Sequence, residues 1–181
     1  ALDNNYLVMN VLKKTAKKYG LVCLLHEKPF DGINGSGKHN NWSLTTDDGI
    51  NLFKPGKEPE NNKVFQLVLA CLMSAVDKHA VLLRTAASNT GNDHRLGANE
   101  APPAIISIYL GDQVGDVVDQ IIKTGKATSS LHSGVIDFGI NKLPVLEKDP
   151  TDRNRTSPFA FTGNKFEFRM VASSNSIGDT N

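Results

Sequence analysis

Residues 30–43 of the chain read FDGINGSGKHNNWS. This stretch holds three glycines, three asparagines, two serines and one histidine. Glycine lets the backbone approach a ligand closely, and a neutral imidazole is a common ligand of divalent cations. The stretch therefore predicts a loop that holds a charged ligand beside a metal ion.

If the end of this stretch is extended, its side chains alternate between two faces. His39, Asn41 and Ser43 then share one face, with about 6.5 to 7 Å from one to the next. An imidazole, an amide and a hydroxyl in a row suit a nucleotide phosphate chain that lies across a metal ion. The alternative, in which His39 caps a turn and the asparagines only satisfy it, stays open on the residues alone.

Residues 32–38 also match G-x-x-x-x-G-K, the start of a phosphate-binding P-loop. The next position of that motif is Ser or Thr, whose hydroxyl holds magnesium, but here it is His39. A helix should follow and point its N-terminus at the phosphates. Residues 40–45 favour strand or turn instead, so the P-loop interpretation is rejected.

Residues 165–171 alternate charged and apolar side chains, as in a half-buried strand. Lys165, Glu167 and Arg169 share the polar face. A carboxylate between two cations is part of an ion-pair ladder, or it is a metal ligand flanked by phosphate-binding groups. Arg153 and Arg155 lie just upstream, and these extra guanidinium groups favour an anion site.

A third polar segment, residues 92–102, carries Glu100 in a predicted loop. A loop carboxylate can take a proton from a substrate. Taken alone, Glu100 is interpreted as an ordinary exposed acid, and only its context could give it a role.

The remaining pattern predicts a mixed α/β fold of the α+β type, because helices and strands do not alternate as in a parallel doubly wound sheet. Helices are predicted at 3–19, at 62–83 (buried all round) and at 114–123, the last capped by Asp112 and ended by Gly125. Strands are predicted at 21–27 (buried), 42–46, 104–110, 134–140 and 165–171. Residues 54–62 and 85–103 are predicted to be mostly irregular.

The composition excludes several classes of protein. The chain has 181 residues, 39% hydrophobic residues and a formal net charge of +1, which fits one domain with a core, or a piece of a larger domain. No apolar run approaches the roughly 20 residues of a membrane span, and the charge gives no reason to expect nucleic acid as a partner. Cys23 and Cys71 lie in apolar runs, so we expect buried thiols in a reducing compartment.

Together these segments resemble glutamine synthetase, and more closely its type III branch, from about residue 7 to residue 176. The motifs occur in the family's order: N-G-S-G-x-H-x-N-x-S at 34–43, N-x-x-R followed by E-A-P at 92–102, and R-N-R followed by E-F-R at 153–169. The spellings HEKPF at 26–30 and TSPFAF at 156–161 resemble type III in particular.

The resemblance implies an enzyme that makes glutamine from glutamate, ammonia and ATP with Mg²⁺ or Mn²⁺, through γ-glutamyl phosphate. It also implies an antiparallel sheet that lines the active site with flanking helices, inside a ring-shaped homo-oligomer that we expect to be a dodecamer. We expect a protein of the cytoplasm, or of an organelle such as a plastid, with neither nucleic acid nor membrane as a partner.

The resemblance also implies a role for each matching residue. The implied metal ligands are His39 and Glu167. The implied catalytic residues are Glu100, which helps to take a proton from ammonium, and Arg169, which stabilises the transferring phosphoryl group.

Substrate contacts are implied in the same way. The implied glutamate-binding residues are Asn34, Gly35 and Arg95. The implied ATP-binding residues are Asn41, Ser43, Arg155 and Lys165.

One departure from the family limits what this chain can do. The family's remaining metal-binding glutamates lie upstream of a loop like residues 34–43, and one His with one Glu does not hold two cations. We therefore expect residues 1–181 to be the C-terminal portion of the catalytic domain, and to be inactive alone.

Two alternatives stay open: a relative that joins glutamate to another amine, and a catalytically silent assembly protein. The presence of His39, Arg95, Glu100, Glu167 and Arg169 argues against the second, because a scaffold does not need this costly set of charged groups.

Overall fold

A computed structural model describes residues 2–131, 135–136, 146–147 and 156–179, the two short strands by their backbone only. The helices are α1 (Leu2–Lys18), α2 (Lys63–Lys78), α3 (Ala80–Ala87), α4 (Thr90–Arg95) and α5 (Gly111–Thr124), with a 3₁₀ turn at Ile177–Asp179. The strands are β1 (Gly37–Trp42), β2 (Ile108–Tyr109), β3 (Val135–Ile136), β4 (Leu146–Glu147), β5 (Phe159–Phe161) and β6 (Phe166–Ala172).

Four strands form a sheet in the order β1-β6-β5-β2, and β3 pairs with β4 in a separate antiparallel ribbon. The predicted mixed α/β class is confirmed. The prediction of a wholly antiparallel sheet is wrong at one pair, because β2 runs parallel to β5. Parallel neighbours need a long crossover, and the connection between these strands contains α5.

The core is centred on Phe166, which is fully buried at the start of β6. Its ring centroid lies 5.1 Å from that of Phe53, 5.2 Å from Phe161, 5.4 Å from Phe159 and 6.2 Å from Trp42. Aromatic pairs at these separations stabilise a core beyond the area that they bury. The cluster ties β1, β5 and β6 to the loop before α2, and so fixes the strands that carry the candidate site.

The single buried helix predicted over 62–83 is wrong, since α2 and α3 are separate helices on either side of His79, bent by 66°. One face of α2 is buried through Phe65 and Leu69, while Val64 and Leu67 on the other face are exposed. Apolar composition all round a helix does not say which side is covered. Within the described residues no single helix is long and apolar enough to cross a membrane, although the bent α2–α3 pair would reach that length and composition together.

The N-terminal predictions had mixed outcomes. Helix α1 forms within one residue of its predicted bounds. The buried strand predicted at 21–27 is wrong: the segment pairs with no strand of the described sheet, its Leu21 and Val22 are exposed, and only Glu27 is buried. Cys71 is exposed and Cys23 is half-buried, so the predicted burial of both thiols is also wrong.

Other bounds moved. The strand predicted at 42–46 lies earlier, as β1, and beyond it only Thr45 forms a bridge, to Asn51. The region 85–103 contains α4, and the strand predicted at 104–110 shortens to β2. The strand predicted at 165–171 is confirmed as β6, whereas the one at 134–140 lies outside the described residues except for β3.

The bounds of α5 were predicted better at its end than at its start. It begins at Gly111 with Leu110 as N-cap and without a side-chain cap, so the predicted Asp112 cap is wrong. It ends at Gly125 as predicted, with φ of 78° and an amide that donates to the carbonyl of Ile121.

We predict that Phe166→Ala lowers the free energy of unfolding by about 3 to 5 kcal/mol, because it leaves a cavity among four rings. Leu67→Ala is the matched control, since Leu67 is 65% exposed and should cost no more than about 0.5 kcal/mol. Denaturation in urea, followed by tryptophan fluorescence, measures both. Equal costs in the two variants would contradict a core centred on Phe166.

Candidate functional site

The pairing of β1 with β6 contains one extra residue in β6. Lys38 pairs with Val171 and Asn40 with Phe168, so that Arg169 and Met170 together stand opposite His39. Such a bulge bends a strand and redirects its side chains, and bulges are over-represented beside active sites. Here the bulge lies at the residues that the sequence predicted for the metal and the phosphoryl group.

Three predicted site residues meet at one carboxylate oxygen beside the bulge. His39 Nδ1 lies 3.8 Å from Glu167 Oε2, and Arg169 Nε donates to the same oxygen at 3.2 Å. Arg169 is buried, Glu167 is partly buried and the side chain of His39 is 38% exposed. The cluster is therefore reached from the solvent through His39 and is closed beneath by Arg169.

The spacing of His39 and Glu167 fits two ligands of one divalent cation. Ligand atoms about 2.1 Å from a cation lie about 3.0 Å apart at a right angle and about 4.2 Å apart on opposite sides, and the 3.8 Å separation falls between these limits. Within the part of the chain that the structure describes, no group of three His, Cys, Asp or Glu side chains converges. These two residues can thus supply only part of a coordination shell.

Three of the four predicted ATP-binding residues lie on or next to the paired strands β1 and β6. Asn41 pairs with Glu167 across β1 and β6, and its side chain is on the exposed face of β1 with that of His39. Ser43 is exposed just beyond β1, and Lys165 is half-buried just before β6. Arg155 lies outside the described residues, as does the neighbouring Arg153.

Arg95 is 4% exposed and lies under the bulge. Its guanidinium donates to the carbonyl of Arg169 at 3.0 Å, to that of Val171 at 3.3 Å and to Oδ1 of Asn92 at 3.0 Å. Asn92 in turn donates to the carbonyl of Met170 at 2.7 Å. Pro158 accepts the amide of Arg169 at 2.9 Å and has no N–H to donate in return, so Arg95 supplies a donor that the buried carbonyl of Arg169 needs.

The same guanidinium explains a glycine in the loop. A Cβ added to Gly37 would lie 2.2 to 2.6 Å from the guanidinium atoms of Arg95, which are held by the hydrogen bonds just described. No larger residue fits there without displacing Arg95. The glycine of the sequence motif is therefore required by a side chain 58 positions away, from the difference between 95 and 37.

The glycine loop, residues 30–37, also contacts Glu100, one of the two predicted catalytic residues. Asn34 Nδ2 donates to Glu100 Oε2 at 2.6 Å, and Asn99 Nδ2 donates to Asn34 Oδ1 at 2.8 Å. Glu100 has φ of 54°, the left-handed region that non-glycine residues rarely adopt. Such conformations persist where the surroundings enforce them, and they concentrate at functional sites.

Sequence reasoning missed the buried polar residues behind the loop. Glu27 accepts two hydrogen bonds from Ser174, through the amide at 2.7 Å and through the hydroxyl. Lys38 donates to the carbonyls of Ser173 and Asn175, both at 2.5 Å, which agrees with its rejection as a P-loop lysine. The sequence did contain a signal for this, because Glu27 follows the apolar run 21–25. The strand prediction treated Glu27 only as the end of the strand.

The charges of these buried groups depend on one another. Burial lowers the pKa of the Arg95 guanidinium and that of the Lys38 ammonium, and the Glu27 carboxylate offsets part of each shift. Burial alone would raise the pKa of Glu27, but the hydrogen bonds from Ser174 bring it below its ordinary value. Glu27 is therefore ionised at neutral pH and supports the charged forms of both cations.

Comparison with known proteins identifies the class. The family profile described as glutamine synthetase, catalytic domain, matches residues 1–107, more than half of the chain. The chain therefore belongs to the glutamine synthetase family.

Its relatives narrow the match to the type III branch, as the motifs predicted. Over 174 residues the chain is 58% identical to a type-3 glutamine synthetase of Dictyostelium discoideum, covering 96% of the chain and 24% of the relative. It is 52% identical over 176 residues to a glutamine synthetase of Bacteroides fragilis, with the same two coverages. The chain thus spans about a quarter of the length of these relatives.

We predict that Arg95→Met lowers the free energy of unfolding by about 2 to 5 kcal/mol, because it leaves the bulge carbonyls buried without their donor. Arg84→Met, on the exposed side of α3, is the matched control and should change stability by less than about 0.5 kcal/mol. Urea denaturation of both variants is the measurement. A loss no larger than that of the control would show that Arg95 does not support β6.

Proposed function

We propose that the full-length protein containing this chain is a glutamate–ammonia ligase, which forms glutamine with ATP and Mg²⁺ or Mn²⁺. In this proposal residues 1–181 are the C-terminal portion of its catalytic domain, with the β1–β6 edge of the sheet lining the active site. The observation that carries the proposal is the meeting of His39, Glu167 and Arg169 at one carboxylate oxygen.

That cluster has the composition that phosphoryl transfer requires. A phosphoryl group in transfer spreads negative charge over its oxygens, so that metal and guanidinium groups must converge on it. His39 and Glu167 would hold the divalent cation, which neutralises phosphate charge when bound. Arg169 presents a planar guanidinium, a shape that matches phosphoryl oxygens, and its bond to Glu167 fixes its direction.

The glutamate side of the proposed site is the glycine loop. Asn34 and Gly35 would line it, and the buried Arg95 would act on glutamate binding from beneath them, through the backbone of β6. The Asn34–Glu100 hydrogen bond supports a flap that closes over the substrate. Because an acyl phosphate hydrolyses in water, the flap must close before ammonia attacks, and Glu100 would then take a proton from ammonium.

The ATP side would be the opposite end of the same strands. Asn41 and Ser43 would contact the nucleotide at the end of β1, and Lys165 would face its phosphates at the start of β6. Arg155 is proposed for the same role on its sequence match alone. We further propose a ring-shaped homo-oligomer, a dodecamer, in the cytoplasm or in an organelle.

His39→Ala in the full-length protein tests the metal site. We expect Mn²⁺ binding to weaken about 10- to 100-fold, because one ligand is lost and the cluster keeps only Glu167. Glutamine formation should fall with it at limiting Mn²⁺ and recover in part at high Mn²⁺. Titration calorimetry with Mn²⁺ alone and an assay of glutamine production measure the two effects.

The matched control is His94→Ala, an exposed histidine on α4. Unchanged Mn²⁺ affinity in His39→Ala would overturn the metal site and favour a silent assembly protein. A second experiment tests which amine is the substrate, by comparing kcat/KM for ammonia, methylamine and ethylamine. A higher kcat/KM for another amine than for ammonia would show a glutamate–amine ligase instead of the ammonia ligase.

We predict that the 181-residue chain by itself forms no glutamine, because one His and one Glu cannot hold the cations that the reaction needs. The measurement is ATP- and ammonia-dependent glutamine production by the purified chain, with the full-length protein as the positive control. Turnover by the chain alone would contradict this prediction.

A further inference from the structure

Glu27 is the most buried carboxylate of the described residues, with 1% of its surface exposed, and the proposed mechanism does not use it. Its Oε1 accepts the amide and the hydroxyl of Ser174, two residues beyond the end of β6. An ionised carboxylate accepts such bonds more strongly than a neutral group does. Glu27 therefore fixes the chain where it leaves β6.

The backbone of Glu27 holds the glycine loop as well. Its carbonyl accepts the amide of Ser36 at 2.7 Å, and a Cβ added to Gly35 would lie only 2.5 Å from that carbonyl oxygen. The loop is thus packed directly onto Glu27 at the residue proposed to bind glutamate. If Glu27 shifted, the loop would have to shift with it, because Gly35 and Ser36 both contact its carbonyl oxygen.

The other carboxylate oxygen faces α4. A Cβ added to Gly91 would lie 2.3 Å from Glu27 Oε2, so the first turn of α4 packs against the carboxylate. This helix carries Asn92 and Arg95, which hold the bulge carbonyls of β6. Three separate segments therefore meet at one residue: α4 and the end of β6 contact the side chain of Glu27, and the glycine loop contacts its backbone carbonyl.

Charge gives the same side chain a second role. Arg95 lies against Gly35 and Gly37 of the loop, and the half-buried Lys38, the next residue, is held by the carbonyls of Ser173 and Asn175. Two cations so placed need a buried counter-charge, and the Glu27 carboxylate is near enough to support the charged form of each. A neutral group of the same shape would fill the space but would not balance these charges.

We propose that Glu27 is a positioning residue of the glutamate site, which holds the Asn34–Gly35 loop in place against Arg95 and the end of β6. This inference rests on the proposed function. The expected effect of Glu27 is limited to one side of the site. The loop lies at the beginning of β1, whereas the proposed ATP side lies at its other end, where Asn41 and Trp42 pair with Glu167 and Phe166. Loss of Glu27 should therefore disturb glutamate far more than ATP.

The test compares Glu27→Gln with wild type and with Glu60→Gln in the full-length protein. Glu27→Gln keeps the shape and removes the charge. Glu60 is the matched control, a buried glutamate whose backbone carbonyl accepts bonds from Lys63 and Gln66 beside α2. For each variant we would measure KM for glutamate, KM for ATP, kcat, Tm and hydrogen exchange of the amides of residues 34–37.

We expect Glu27→Gln to raise KM for glutamate about 10- to 100-fold, since small misplacements of binding groups have effects of this size. KM for ATP should change less than about twofold, exchange at Ser36 should accelerate, and Glu60→Gln should resemble wild type. An unchanged KM for glutamate with unchanged exchange would overturn the proposal. The proposal would also be overturned if kcat/KM fell equally for glutamate and ATP while kcat and Tm fell too, because that result marks a purely structural role.

Two further comparisons distinguish failure of this proposal from failure of the variant to fold and from failure of the proposed function. If Glu27→Gln does not fold, Ser174→Ala removes one partner of the carboxylate and is judged by the same measurements. If the wild-type protein makes no glutamine, the proposed function fails, while hydrogen exchange in the glycine loop still decides whether Glu27 holds it.

Discussion

The extra residue in β6 opposite His39 is the constraint on which the site depends. A regular antiparallel pair would place one residue of β6 opposite His39, and its side chains would keep strict alternation. With Arg169 and Met170 both at that position, Met170 enters the core, and Arg169 is also buried and still bonds to Glu167. The bulge thus supplies a buried guanidinium next to a carboxylate without a break in the sheet.

This arrangement has an energetic cost that the neighbouring elements offset. At the bulge β6 has passed the end of its pairing with β5, where Pro158 has no N–H to donate, and buried unpaired acceptors are destabilising. Arg95 and Asn92 satisfy them, but they introduce a buried cation and a buried amide. Glu27 then balances the charge. The unpaired carbonyls require buried donors, and the buried cation among these donors requires a carboxylate. The polar residues behind the loop therefore form one connected group.

The sequence predicted the parts of this site whose signals are local. The alternation around Glu167 identified β6, and the exposed face shared by His39 and Asn41 followed from period-two spacing. The strand prediction at 42–46 failed because the pairing with β6 starts at Gly37, and glycine carries no strand signal of its own. The buried strand at 21–27 failed because an apolar run does not reveal whether a partner strand exists.

The nonlocal contacts could not be predicted. Nothing in the residues near Arg95 indicates that its guanidinium lies under β6, because that depends on a register shift between strands more than a hundred residues apart. The glycines of the loop were predicted to let the backbone approach a ligand, whereas the missing side chain of Gly37 makes room for Arg95. A motif can thus be recognised correctly while the physical reason for one of its residues lies elsewhere in the fold.

The order of the sheet has one more consequence. β1 is an edge strand, with β6 as its one neighbour in the described sheet, and it carries His39 and Asn41. An edge strand is a template on which another strand can form hydrogen bonds, at a spacing of about 4.8 Å. Any strand added there would bring its own side chains within reach of His39. A strand added beside β1 would therefore lie next to the two proposed metal ligands, which by themselves supply only part of a coordination shell.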